Sequence, residues 1–516
     1  MRHESARLHV TGHAVYVDDL PDPPGCLFAL PVPSPVARGR IVSVDATEAL
    51  ALPGVHAILF AKDIPGSNLI GPIVHDEPLL AQDEVFFLGQ AIALVIADDR
   101  AACAAAARAV KLELEELPAH FTIEEAIAAE DFLGSPHTIA RGDVNKALEG
   151  AAERIEGVMR CGAQDHFYLE TQAALCLPEE DGTFRLISST QHPTEVQKMV
   201  ASCLGLSSNR VVCEVPRMGG GFGGKESQAT HWGCYAALAS QHTGRPARVW
   251  LNRDEDMSWT GKRHPVLGRY EAGFDEQGKI VALRAEVFVN GGWSEDLSIP
   301  ILDRALFHLD NAYFIPNLHF HGLACRTNLP SNTAFRGFGG PQGMLVVEHA
   351  INSYAERKGL DPAEIRALNF YAEGQETPYG QALEAVRLQR MWAELAESSD
   401  YAARRAEIEQ HNASGGSLRR GIGMQPVKFG ISFTASLLNQ AGALVLVYAD
   451  GSVQLNHGGT EMGQGLHTKM LSVCSRALGV PIESIRVMRT ATDKVPNTSA
   501  TAASSEIGRA SCRERV

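Results

Sequence analysis

The chain has 516 residues, 45% hydrophobic and 21% charged, a globular composition that excludes fibrous, collagen-like and fully disordered classes. Lys and Arg total 46 against 61 Asp and Glu, a net charge of −15; that argues against a nucleic-acid partner, which needs a cationic surface. At this length a large core forms without disulfides or structural metals, and length alone points to about three domains.

Ten cysteines are scattered with no CxxC pair, so a zinc ribbon or iron–sulfur site in this chain is not expected. Free thiols fit a reducing compartment, and a cytoplasmic location is expected. No apolar h-region follows Met1–Ser5 and no 18-residue apolar run occurs, so neither a secretory signal nor a transmembrane helix is expected.

In chain order, His13–Val17 is compatible with a short strand, and Pro21–Gly25 reads as a turn. Leu27–Val32, Arg40–Asp45 and Val55–Phe60 read as strands, and Gln90–Ala97 is an apolar run. Ala101–Val110 reads as a helix with Asp98 and Asp99 near its start, and Val110–Leu114 as a further strand. This pattern predicts a first α+β or α/β domain over 1–125, then a connector over 126–150 containing Gly134-Ser135-Pro136. A second domain is predicted over 151–410, rich in strand signals. Residues 381–397 carry Leu383, Val386, Met391 and Leu395 at mostly helical spacing, and a polar helix follows to about Gln410. Asn412–Ser417 is the linker candidate, and a third domain over 418–505 has strands at Leu444–Tyr448 and Val453–Leu455. Residues 506–516, with three Arg in the last eight, read as a non-native tail on a truncated chain.

Three glycine-rich loops stand out. The first, Gly219–Glu226, follows a strand-like run over Arg210–Val215 and precedes a helix-like stretch over Ser227–Gln241. Gly219, Gly221 and Gly224 satisfy GxGxxG, the dinucleotide fingerprint, but the acids beyond the second strand Arg248–Leu251, Asp254 and Glu255, come about 30 residues on rather than the usual ~20. Read as GxxxxGK, the loop puts Glu226 where Ser or Thr should hold magnesium, and a carboxylate there repels phosphate. The second loop is Thr333–Gln342 and the third His457–Gly465. Glycine lets main chain approach a ligand closely, and bare N–H groups cradle anionic oxygens. Three such loops predict a large ligand buried between domains.

Ser188–Gln191, Pro216–Glu226, Asp303–His308, Ser331–Gln342 and Gly459–Gly465 together resemble the molybdenum hydroxylases, the aldehyde oxidase–xanthine dehydrogenase family, over essentially residues 4–505. The resemblance implies an α+β fold: an N-terminal hammerhead-like domain, then two molybdopterin-binding domains, the last incomplete. It implies a molybdenum–molybdopterin cofactor with no side chain ligating the metal. Gln191, the Phe222 main chain, Arg336 and Ala503 are implied near the metal; Gly221, Met462, Gln464 and Ser504 are implied cofactor contacts. On the substrate side the resemblance assigns Phe338 and Phe433 as two aromatics sandwiching a planar heterocycle, Glu226 and Arg304 as its polar grip, and Thr434 as a further hydrogen bond. Within the family these groups favour hypoxanthine or xanthine, hydroxylated with water toward urate, over an aldehyde.

The family's general-base Glu lies beyond the Thr501–Ser504 motif; Glu506 and Glu514 do not match its context, so no catalytic base is assigned in this chain. Two [2Fe–2S] clusters and FAD, with NAD as final acceptor, are implied on a partner subunit, in a dimer of heterodimers. An aldehyde oxidase-type hydroxylase, an NAD-dependent dehydrogenase using the first loop, and a pseudoenzyme are the alternatives.

Overall fold

The computed structural model describes residues 3–434 and 438–502. Ala503, Ser504 and the expected tail over 506–516 lie outside them. The fold is mixed α+β; the described residues form two large sheets, a small C-terminal one of three strands, and two further small ones of three and two strands.

The first sheet has eight strands in the order Thr490–Ala491, Val211–Val215, Phe184–Ser188, Ala173–Pro178, Ala247–Trp250, Leu27–Pro33, Ala91–Ala97, Val55–Leu59. Ala91–Ala97 is apolar throughout and buried at every position, as a strand covered on both faces must be. The helix Arg100–Ala109 starts where Asp99 accepts from the Ala102 N–H, and it buries Cys103 and Ala106 against this sheet. The helices Pro193–Cys203 and Ala229–Thr243 pack on the sheet through Val196, Met199, Val200, Trp232 and Tyr235.

The second sheet runs Glu153–Cys161, Val266–Phe274, Ile280–Gly292, Asn317–Arg326, Phe132–Arg141. The helices Ser298–Phe307 and Gly340–Lys358 cover it, burying Leu302, Leu306, Val346 and Ile351. The small sheet, Ala443–Val447, Val453–His457 and Ile485–Val487, packs on the helix Leu466–Leu478.

Several expectations change. His13–Val17 forms no strand. Residues 126–150 are no open connector: they hold the edge strand Phe132–Arg141, where Pro136 is tolerated because an edge strand leaves N–H positions unpaired. Helix begins at Leu388 rather than near 381, and the second helix, Tyr401–Ala413, runs into the linker candidate. The dinucleotide reading fails on topology. The strand before the first loop, Val211–Val215, lies three positions from the strand after its helix, Ala247–Trp250, so the two form no adjacent βαβ unit.

Candidate active site

The first loop is wedged between protein segments. Gly220 and Gly223 take φ +98° and +104°, and Phe222 between them takes +54°. A Cβ on Gly219 would strike Glu170 and one on Gly224 His166; one on Gly223 would lie 2.5 Å from the Ala334 carbonyl oxygen. These glycines therefore admit neighbouring chain, not a ligand. His166 bridges the first two loops by a 2.7 Å hydrogen bond to the Ala334 carbonyl, and burial pushes its pKa down to about 4. The phosphate-loop reading is excluded by Lys225. It is fully buried and its ammonium donates to the Glu170 carbonyl at 2.7 Å, with the Glu170 carboxylate at 3.3 Å.

Gln191 joins the first loop to the end of the described chain. Its Oε1 accepts from the Gly223 N–H at 2.8 Å, and its Nε2 donates to the Thr501 carbonyl at 2.8 Å. A Cβ on Gly221 would lie 2.6 Å from that Oε1. The Phe222 carbonyl accepts from the Arg336 N–H at 2.9 Å, and the Glu461 carbonyl from the Met218 N–H at 2.9 Å, so the three loops meet. Arg336 is exposed, and Glu226, the last residue of the first loop, is buried.

The third loop corrects the expectation of bare amides. Met462 N–H donates to Gln464 Oε1 at 2.7 Å. Gly463 and Gly465 N–H donate to Glu461 Oε1 at 2.9 and 3.0 Å, and His467 N–H donates to Glu461 Oε2 at 3.0 Å. Glu461 thus caps the helix Leu466–Leu478 from within, where a carboxylate also suits the helix dipole. Sequence reading missed this role, although Glu461 stands inside the motif, because an acid in a glycine loop does not show which amides it faces.

In the second loop, a Cβ on Gly339 would lie 2.0 Å from the Ile301 carbonyl oxygen, so this glycine lets the loop cross the helix Ser298–Phe307. Leu297, Ile301 and Ala334 pack with Phe338 and Phe433. The two phenyl rings are brought together, but not as parallel walls: their centroids lie 4.9 Å apart at 54°. A ring between them needs a separation of about 7 Å, twice a van der Waals contact, so in this arrangement they touch rather than sandwich.

Arg304 also departs from expectation. It is 3% exposed, and its two terminal nitrogens donate to the Gly430 and Ser432 carbonyls. Its Nε has no partner, and burial lowers its pKa. Thr434 donates to the Pro300 carbonyl at 3.2 Å. Buried Asp296, invisible in the sequence, ties the residue after the first loop to the second loop: it accepts from Ser227 Oγ at 2.6 Å and Thr333 Oγ1 at 2.9 Å.

The molybdopterin cofactor-binding domain family matches residues 128–370, and a second such family matches 394–508. The hammerhead domain of aldehyde oxidase and xanthine dehydrogenase matches 11–118. Xanthine dehydrogenase/oxidase of Gallus gallus is 50% identical over 503 residues, 97% of this chain and 37% of that protein. Xanthine dehydrogenase of Dictyostelium discoideum is 46% identical over 504 residues, 98% of this chain and 37% of that protein. The chain belongs to the xanthine dehydrogenase family. It corresponds to the molybdopterin-binding region and spans about 37% of the length of these relatives. The aldehyde oxidoreductase from Desulfovibrio gigas superposes with a TM-score of 0.85 at 29% identity, covering 97% of this chain and 57% of that one.

The residues of this xanthine dehydrogenase-family region fit a pterin cofactor on the structure's own terms. Three buried polar atoms have no partner among the described residues: Arg217 Nη1, two residues before the first loop, Gln342 Oε1 at the end of the second and Thr460 Oγ1 in the third. Buried polar atoms are normally paired, so these unpaired ones suit a ligand rich in donors and acceptors. Gly463, at φ +102°, has open space where a Cβ would stand.

Proposed function

We propose that this chain is the molybdenum-cofactor part of a purine hydroxylase of the xanthine dehydrogenase type. It would act on hypoxanthine and xanthine and pass electrons to iron–sulfur clusters, FAD and finally NAD carried outside this region, in a dimer of heterodimers. When bound, the molybdenum–pterin cofactor supplies a two-electron oxidation with a water-derived oxygen. Gln191, Gly221, the Phe222 main chain, Arg336, Met462 and Gln464 would hold it. Ala503 and Ser504, assigned the same role, lie outside the described residues.

This chain's own residues bind and orient the purine. Phe338 and Phe433 present apolar faces that select planar rings. Arg304 would stabilise negative charge developing on a purine oxygen, Glu226 would grip the opposite edge, and Thr434 would add a hydrogen bond. Supporting this reading over an aldehyde hydroxylase is the state of Arg304: a buried cation beside the aromatic pair, with only neutral carbonyls for partners among the described residues. Such a charge is poorly compensated until an anionic oxygen arrives. No helix among the described residues is long and apolar enough to cross a membrane.

Arg304→Met in the full-length protein tests the assignment. It should lower kcat/KM for xanthine by about 2.7–4 kcal/mol at the transition state, as loss of one such donor does, and leave a neutral aromatic aldehyde far less affected. Equal loss on both substrates would remove the role given to Arg304.

A further inference from the structure

Residues 3–5 fold back onto the third loop and the helix Leu466–Leu478 that follows it. The Glu4 N–H donates to Thr468 Oγ1 at 2.9 Å, and that hydroxyl donates to Glu4 Oε2 at 3.1 Å. The His3 ring lies against Gly465, where a Cβ would stand 3.5 Å from its Cδ2. His3 Nδ1 is 2.8 Å from Glu4 Oε2, and its Nε2 is 3.9 Å from Glu461 Oε1. His467 Nδ1 is 3.9 Å from Glu4 Oε1. The two 3.9 Å gaps are too long for hydrogen bonds and near the spacing of two donors on one tetrahedral zinc, about 3.3 Å for bonds of about 2.0 Å. His3, Glu4 and Glu461 each offer a ligand atom within 4.8 Å of the other two.

His467 adds an observation independent of the acids. Its side chain is 8% exposed; its Nε2 has no partner among the described residues, and its Nδ1 reaches only Glu4, at 3.9 Å. Buried polar side chains are normally hydrogen-bonded, so this imidazole faces the junction with its bonding capacity unused. Burial pushes its pKa down, against Glu461 and Glu4 and with Arg217 and His3, so the ring is neutral, the form that ligates a metal. Glu461 accepts three main-chain N–H groups, which leaves one of about four acceptor positions on its carboxylate. Two carboxylates against the single Arg217 guanidinium leave the junction with negative charge in excess.

We propose that His3, Glu4, Glu461 and His467 bind one divalent cation of the zinc class, which clasps residues 3–5 to the third loop. Two imidazoles and two carboxylates suit zinc; magnesium and calcium take oxygen ligands. The ion neutralises the excess negative charge and gives the buried His467 ring the partner it lacks. A clasp of this kind fixes the loop that carries Met462 and Gln464 from the side of Gly465. It does not depend on the purine reading.

The test uses the full-length protein, dialysed against a chelator and titrated with zinc, and separately with magnesium, by calorimetry. His3→Ala and His467→Gln are compared with His56→Ala, which removes a surface histidine whose Nε2 pairs with Asp98 alone, at 2.7 Å. The parent should bind one equivalent of zinc that His3→Ala and His467→Gln each weaken at least about tenfold and His56→Ala leaves unchanged. Zinc should also raise the thermal midpoint of the parent and not that of His3→Ala. No zinc uptake by the parent, zinc affinity unchanged in His3→Ala, or magnesium bound as tightly as zinc would overturn the site and leave these side chains as an ion-pair cluster. If His467→Gln fails to fold, His3→Ala, altered at the edge of the fold, decides the question.

Discussion

Glu195 stands in the first turn of the helix Pro193–Cys203, beside a cavity of about 10 Å³ that it lines with Thr230, His231 and Asp296. Burial pushes its carboxyl up to about 7; Lys198 opposes the shift and Asp296 adds to it. The folded protein therefore holds this proton more tightly than the unfolded chain does. Stability falls as pH rises from about 4.5 through 7, a difference of roughly 3 kcal/mol across that window. Glu195→Gln removes this slope. Its stability relative to the parent should be about 3 kcal/mol more favourable at pH 8 than at pH 4.5, read from urea unfolding at both values. A difference that does not change with pH would mean that Glu195 stays ionised in the fold. Nothing around Pro193-Thr194-Glu195 marks this acid in the sequence, because its environment is assembled from residues 70–77, 227–231 and 294–296. Gln191 and Arg304 were legible through their motifs, but their partners, Thr501 and the 430–432 carbonyls, were not.

At the level of elements, the helices Ser298–Phe307 and Gly340–Lys358 approach so closely that a Cβ on Gly343 would lie 2.0 Å from the Ala305 carbonyl oxygen. Gly343→Ala should destabilise by about 1–3 kcal/mol, since overpacking outweighs the helix propensity gained. A lower denaturation midpoint with unchanged slope would register it; a raised midpoint would show that the helices part without cost. The strand Ala443–Val447 is the edge of the small sheet, and all five of its residues are exposed. An apolar edge with free N–H and C=O groups templates strand addition. The 516-residue chain is therefore expected to self-associate through this strand in sedimentation velocity, and Leu446→Lys to shift it toward monomer; a monomeric parent, or a distribution that Leu446→Lys leaves unaltered, would show that the edge does not template association. The sequence predicted the strand at Leu444–Tyr448 from its apolar run, but an apolar run implied burial, and this one is uncovered among the described residues.

For the whole molecule, the hammerhead and the first molybdopterin-binding region share one sheet. Leu27 and Phe28 pair in parallel with Ala247 and Arg248. One apolar cluster takes in Leu27, Leu79, Leu80, Leu94 and Ile96 together with Leu186, Val196, Trp232 and Tyr235. Residues 126–502 made without the preceding chain would expose the Ala247–Trp250 edge and half of this cluster. That fragment should lack a cooperative thermal transition, whereas the 516-residue chain should show one shared by the hammerhead and core probes. A fragment that melts cooperatively would show that the sheet tolerates the cut.

By itself, the sequence determined the elements whose local signals are strong, such as the apolar run Gln90–Ala97 and the Ala-rich helix with Asp98 and Asp99 near its start, and it located the three loops. These signals are local: burial on both faces, a cap and a glycine run each span a few neighbouring residues. Tertiary structure alone decided that the strand before the first loop is not adjacent to the one after it, and that the glycines of the first two loops admit protein rather than ligand. It alone placed Phe433 against Phe338 and gave Arg304 to Ser432, 128 residues away. Such partners are chosen by where distant backbone carbonyls come to rest once two sheets and their helices have packed, and no local pattern carries that information.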